Sequence, residues 1–210
     1  QDGAYTVAVT VNDDDGATGS DTLTVTVRNV APAVTAAKDQ TADEGTAASF
    51  SLGSFADPGL DSPWAAHVSW GDGSSDLIPG LSAAGALPQR SHVYGQDGRY
   101  AVTLRVTDKD GAAGEATFLV DVANVAPTLS GQFDQLAAEG TLTSFNLGRF
   151  ADPGADSPWT VRVEWGDGTM STFSATTPGA LGFRAHAYDD DGTYSVRITV
   201  SDKDGAGVAA

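Results

Sequence analysis

Tyr100-Ala101-Val102-Thr103-Leu104-Arg105-Val106 alternates apolar and polar side chains, and Tyr194-Ser195-Val196-Arg197-Ile198-Thr199-Val200 repeats the pattern. A period of two places Tyr, Val, Leu and Val on one face, as a half-buried strand requires. Phe50-Ser51-Leu52, His67-Val68-Ser69-Trp70 and Phe118-Leu119-Val120-Asp121-Val122 read the same way, and no stretch carries a helical apolar stripe. The expected class is all-β.

Outward from these strands the chain repeats itself. Trp70-Gly71-Asp72-Gly73 returns as Trp165-Gly166-Asp167-Gly168, 95 positions on (165 − 70). Phe55-Ala56-Asp57-Pro58-Gly59 returns as Phe150-Ala151-Asp152-Pro153-Gly154, and Asp108-Lys109-Asp110-Gly111 as Asp202-Lys203-Asp204-Gly205. A period near 100 residues matches a free-standing two-sheet domain rather than a solenoid unit, which cannot bury its own apolar face. About seven short strands per unit, separated by Gly, Pro and Asp turns, predict tandem antiparallel β-sandwiches of immunoglobulin type, arranged as beads on a string. The expected divisions are 1–31, the last two strands of a truncated repeat; 32–126, a complete sandwich; and 127–210, a sandwich lacking its last strand. The sequence thus reads as a window on a longer array, with a head-to-tail polymer using strand 21–27 as the alternative.

Asp and Glu number 28 against 11 Lys and Arg, a net charge of −17, which repels nucleic-acid phosphates and anionic membrane surfaces. Cysteine is absent, so disulfides and thiolate metal sites are excluded. There is no apolar run long enough to span a membrane. Asp-loaded acidity, few lysines and abundant Thr, Gly and Ala lean toward a bacterial exported protein, extracellular or at the cell surface.

Trp-Gly-Asp-Gly at a strand end, then His92-x-Tyr94 and Gly98-x-Tyr100-x-Val102-x-Leu104-x-Val106-x-Asp108 with Asp110-Gly111, resembles the polycystic kidney disease (PKD) repeat. Many members of that family read Trp-Asp-Phe-Gly-Asp-Gly where this chain has the shorter Trp70-Gly71-Asp72-Gly73. The resemblance implies an extracellular sandwich used as a spacer or adhesion module in surface proteins and secreted enzymes.

In such a sandwich the loops at the chain-entry end hold Asp57, Asp61, Asp108 and Asp110 in one unit and Asp152, Asp156, Asp202 and Asp204 in the next. The opposite end carries Asp72 and Asp97 with Glu44, so acidic loops of neighbouring units are expected to converge near Asn29 or Asn124. Carboxylates gathered this closely either splay into water or enclose a cation, and calcium suits a set of Asp, Asn and carbonyl oxygens. The competing reading is that Asp-x-Asp-Gly only builds tight turns. Trp70 and Trp165 are expected in the core, while Trp64 and Trp159, each following Ser-Pro in a loop, are candidates for stacking on a ligand as well as for packing.

No nucleophile–base pair, phosphate loop or His-Glu-x-x-His is present, which disfavours an enzyme. The expected role is a structural repeat segment of a bacterial stalk, fibre or adhesin with calcium at its joints and neighbouring repeats as partners. The alternative is a polysaccharide- or protein-binding accessory module of a secreted enzyme.

Overall fold

The computed structural model describes residues 1–210 and contains strands without helices. No helix is therefore long and apolar enough to cross a membrane. The chain divides into two compact units, one of Gln1–Gln40, Ser49–Arg90 and Tyr100–Val120, the other of Thr41–Ala48, Ser91–Arg99 and Asp121–Ala210. The division does not follow the sequence repeat. Two loops of the first repeat, 41–48 and 91–99, belong with the compact unit that holds the second repeat.

In the first unit Gly3–Asn12 and Thr18–Val27 form an antiparallel hairpin in register from Gly3 opposite Val27 to Asn12 opposite Thr18. Asp13 closes its turn by accepting the N–H groups of Asp15 and Ala17. One sheet of the sandwich runs Ala113–Ala123, Gly98–Thr107, Trp64–Ser69, Ser75–Leu81. Another has Gly53–Ala56 between Ala33–Ala36 and Gly85–Ala86. The inward residues of the alternating strands, Val102, Leu104 and Val106 with Ala66, Val68, Phe118 and Val120, are all buried. Trp70 packs on Phe50 with ring centroids 5.5 Å apart, and Trp64 meets Phe55 edge-on at 5.4 Å.

The second unit repeats this plan. Its four-stranded sheet runs Met170–Ala175, Trp159–Glu164, Arg197–Ser201, Gly207–Ala209, and a three-stranded sheet runs Thr128–Ser130, Arg149–Ala151, Gly179–Ala180. Phe145, Leu147, Phe150, Trp159, Val161, Val163, Trp165, Leu181, Ile198 and Val200 form its core. Tyr188 is pinned beneath them, its hydroxyl donating to the Trp165 carbonyl at 3.0 Å. The strand expected from Tyr194 begins only at Arg197; beside it Gly207–Ala209 pairs with 199–201, and Ala210 exchanges backbone hydrogen bonds with Ile198. In the first repeat the matching strand is ten residues long, lying against Ala113–Ala123.

The Trp-Gly-Asp-Gly turns are alike in both units. Trp70 and Trp165 N–H donate to the carbonyls of Ser74 and Thr169, and Asp72 and Asp167 accept the N–H of those same residues. Gly71 and Gly166 hold φ of +85° and +87°, a region that a Cβ would strain.

Candidate metal centre

Both units hold the acidic loop that follows Phe-Ala to the core in the same way. In the first, Asp57 Oδ1 accepts the Gly59 N–H at 2.9 Å while Oδ2 accepts the Trp64 indole N–H at 2.9 Å. The Asp108 Oδ1 accepts the N–H groups of Asp110 and Ala112, which forms the turn, and its Oδ2 accepts the Asn29 amide at 2.9 Å. One ligand oxygen each of Asp57, Asp61 and Asp108 falls within 4.8 Å of the others, with Asp61 and Asp108 buried. Burial pushes the Asp108 carboxyl up, but the Asn29 amide and the turn N–H groups outweigh it and hold the group below its ordinary range. The Asn29 side-chain Oδ1 is buried without a hydrogen-bond partner.

In the second unit Asp152 accepts the Gly154 N–H at 3.0 Å and the Trp159 indole at 2.7 Å, and Asp202 accepts the Asn124 amide at 3.1 Å. The cluster here is Glu44, Asp152 and Asp156, again within 4.8 Å. Glu44 and Asp156 are both 0% exposed. Glu44 is oriented by two backbone donors, Val125 N–H on Oε1 at 2.8 Å and Asp97 N–H on Oε2 at 2.9 Å. Its own N–H reaches the Ala123 carbonyl at 3.1 Å. Asp156 Oδ1 accepts from Gln96 Nε2 at 2.8 Å and from Lys203 Nζ at 3.1 Å, whereas its Oδ2 is buried with no donor.

Backbone closeness makes this packing tight. A Cβ on Gly154 would lie 2.2 Å from Asp156 Oδ2 and 2.7 Å from Glu44 Oε1, so only glycine fits beside the two carboxylates. Burial raises the Glu44 carboxyl above its ordinary value and the charge and hydrogen bonding of Asp156 raise it further, against the pull of the Val125 and Asp97 N–H groups. Two facing buried carboxylates with no protein donor between them form a setting that a shared proton or a cation would satisfy.

The structure sorts the remaining candidates. Asp110 and Asp204 are exposed and contact the ammonium of the preceding lysine, with Asp110 also grouped with Asp2 and Asp61. Asp72 serves its own turn. Asp97 contributes its backbone N–H to the second cluster, and Asp202 its bond to Asn124 rather than a place among the three clustered carboxylates. Trp64 and Trp159 are 6% and 2% exposed, which removes them as stacking platforms; their rings are consumed by the core and their N–H groups by Asp57 and Asp152. Three residues were not singled out in the sequence: Gln96, Lys109 and Lys203. Both lysines lie in the Asp-x-Asp turns, yet each turns inward to an aspartate, Lys109 to Asp61 at 2.9 Å and Lys203 to Asp156. Their repetition beside the Asp-x-Asp turn was the available signal.

Glu44, Asp152 and Asp156 fit a hard divalent cation, because they are oxygen donors, preoriented, and include the orphaned buried Asp156 Oδ2. A similar but exposed group, Glu139 with Asp190 and Asp191, lies elsewhere in the second unit.

Two immunoglobulin-like sandwiches with acidic loops pinned by buried indoles define a tandem β-sandwich repeat. The family model of the PKD domain matches residues 29–122 and 124–209, and the chain belongs to that family. No curated protein matches it. Among solved structures it is similar to a tetra-tandem repeat in the extending region of a large adhesion protein, at 18% identity and a TM-score of 0.46, over 99% of this chain and 55% of that one. It is also similar to EC21-23 of human CDH23, at 16% identity and TM-score 0.35, over 98% and 72% of the two chains. A third likeness is to the Bacteroides ovatus glucan-locus protein SGBP-B in complex with a mixed-linkage heptasaccharide, at 14% identity and TM-score 0.32, over 87% and 46%. The chain thus spans about half the length of the adhesion-protein fragment. At these scores none of the three carries a statement about ions or partners.

Proposed function

We propose that this segment is a structural repeat portion of an extracellular bacterial stalk, fibre or adhesin, stiffened by calcium where one repeat meets the next. The observation that carries the reading is the pairing of Glu44, from the first sequence repeat, with Asp152 and Asp156, from the second, in one buried carboxylate cluster. A cation there ties together chain segments that the sequence repeat separates, and its loss leaves carboxylates that repel one another. The neighbouring repeats are then the primary partners, and the mechanism is mechanical: reach and stiffness rather than chemistry. Small-angle scattering of the 210-residue chain with millimolar calcium and after chelation tests it. The expected result is a calcium-dependent maximum dimension and a sharper distance distribution. An unchanged profile overturns the stiffening role.

Burial of Trp64 and Trp159 supports this reading over a carbohydrate-binding module, since it leaves neither ring face open to a sugar.

A further inference from the structure

We propose that Lys203 is a tethered counter-cation, competing with a divalent ion for the Glu44–Asp152–Asp156 cluster and setting the affinity of that site. The inference rests on the reading of the cluster as a calcium site and adds what tunes it.

Asp156 is a carboxylate with two unlike ends. Its Oδ1 is doubly held, by Gln96 Nε2 at 2.8 Å and Lys203 Nζ at 3.1 Å. Its Oδ2 has no donor, on a side chain that is wholly buried and converges with Glu44 next to Gly154. The open end is therefore presented toward the other carboxylates while the ammonium sits at the back. In a chain with 28 acidic residues, two of its three lysines, Lys109 and Lys203, are placed in this same manner. Lys109 meets Asp61 Oδ1 at 2.9 Å and Asp110, as Lys203 meets Asp156 and Asp204.

Two effects of Lys203 oppose each other. As a donor it helps to orient Asp156, which favours cation binding. As a charge one carboxylate away from the open oxygen, it cancels part of the negative potential and repels a divalent ion. The orienting effect is largely redundant, because Gln96 holds the same oxygen. The charge has no substitute, and at an effective dielectric of about 20 a unit charge and a divalent ion a few ångströms apart repel by more than a hydrogen bond contributes. The lysine side chain is 31% exposed, so the ammonium can swing partly into water and weaken the repulsion without abolishing it. Charge therefore decides the sign: removing it should tighten the site by about tenfold or more.

Terbium provides the probe, since the Trp159 indole N–H lies 2.7 Å from Asp152 Oδ2 and a lanthanide in the cluster would emit by energy transfer from that ring. The full chain is used in a D61N background, which removes the equivalent cluster beside Trp64. Terbium is titrated into this parent and into K203M, K203Q and D156N, followed by displacement with calcium and by far-ultraviolet circular dichroism to establish that each variant is folded. The expected result is a sensitised signal lost in D156N, with the midpoints for terbium and for calcium displacement shifted to about tenfold lower concentration in both K203M and K203Q. Binding by K203M where the parent shows none supports the inference in its strongest form. Folded K203M and K203Q proteins that bind with unchanged or weaker affinity overturn it while leaving the calcium reading standing. If neither parent nor K203M takes up terbium or calcium, both fall.

Discussion

Trp159 donates its indole N–H to the Asp152 carboxylate at 2.7 Å, and Trp64 makes the same bond to Asp57 at 2.9 Å, each seven residues back along the chain. A large ring gains by burial only if its polar corner finds a partner. The aspartate supplies it, and its second oxygen caps the acidic loop by accepting the N–H of Gly154 or Gly59. The tryptophan is thus the post to which the loop is tied.

W159F should therefore lower stability by about 2 kcal/mol through the lost hydrogen bond to a charged group, and further through the cavity that the smaller ring leaves in the core. The denaturant midpoint would fall with its slope unchanged. D152N keeps one acceptor oxygen but sets its NH2 group against either the indole or the Gly154 N–H, so it should lose at least as much. A D152N loss well below that of W159F would mean that the second Asp152 oxygen does not hold the loop.

Glu44 is a buried carboxyl held above its ordinary pKa by burial and by Asp156. In E44Q the side-chain amide offers Asp156 Oδ2 a donor and removes a repulsion, at the cost of one of the two backbone bonds. With chelator present the variant should melt higher than the parent, by about 1 kcal/mol equivalent. Added calcium should raise the melting temperature of the parent and leave E44Q nearly unmoved.

Asp167 is held down at about 2 by the Thr169 hydroxyl first, then by the Thr169 N–H and by His186, against burial. His186 Nε2 lies 2.7 Å away, with the imidazole stacked on Trp165 at 4.5 Å. The folded value lies below the ordinary value of 3.8, so the stability contributed by Asp167 is complete above that pH and is lost as the pH falls toward 2. Carbon-13 titration of the carboxyl should give a midpoint near 2 in the parent and a higher one in T169A. A T169A midpoint identical to the parent's would remove the hydroxyl as the main cause.

Gly166 and Gly168 both have positive φ, +87° and +91°, but a Cβ on Gly166 would lie 2.7 Å from the Ser195 carbonyl oxygen while one on Gly168 would meet nothing within 4 Å. G168A should cost about 1 kcal/mol, the price of a left-handed residue with a side chain. The G166A variant adds a backbone clash and should cost about 3 kcal/mol or more. Urea denaturation of the pair separates conformational strain from collision.

The sandwich was legible because alternation is a local property. Val102, Leu104 and Val106 occupy one face of a strand wherever that strand lies, and all three are buried. The aspartates of the loops were legible as acidic turns for the same reason, since Asp108 forms its turn with Asp110 and Ala112, at most four residues away. The sequence was silent on the direction of Lys203, which folds back onto an aspartate 47 positions earlier, and on Gln96, whose partner Asp156 is 60 positions away. It also left Trp64 and Trp159 ambiguous between core and surface, because burial of a loop residue depends on what the fold places over it.

Repetition and period-two patterning alone determined that this chain is a tandem array of β-sandwiches, because strand faces and tight turns are set by neighbours within a few residues. Only the tertiary structure decided that Glu44 would face Asp156, 112 positions later (156 − 44), in a place from which water is excluded. The repeat topology led to the expectation that acidic loops of neighbouring repeats converge near Asn124, but spacing within one repeat carries no information about which side chains face one another or how deeply they are buried. The electrostatic consequence, two carboxylates that need a proton or a cation between them, exists only there.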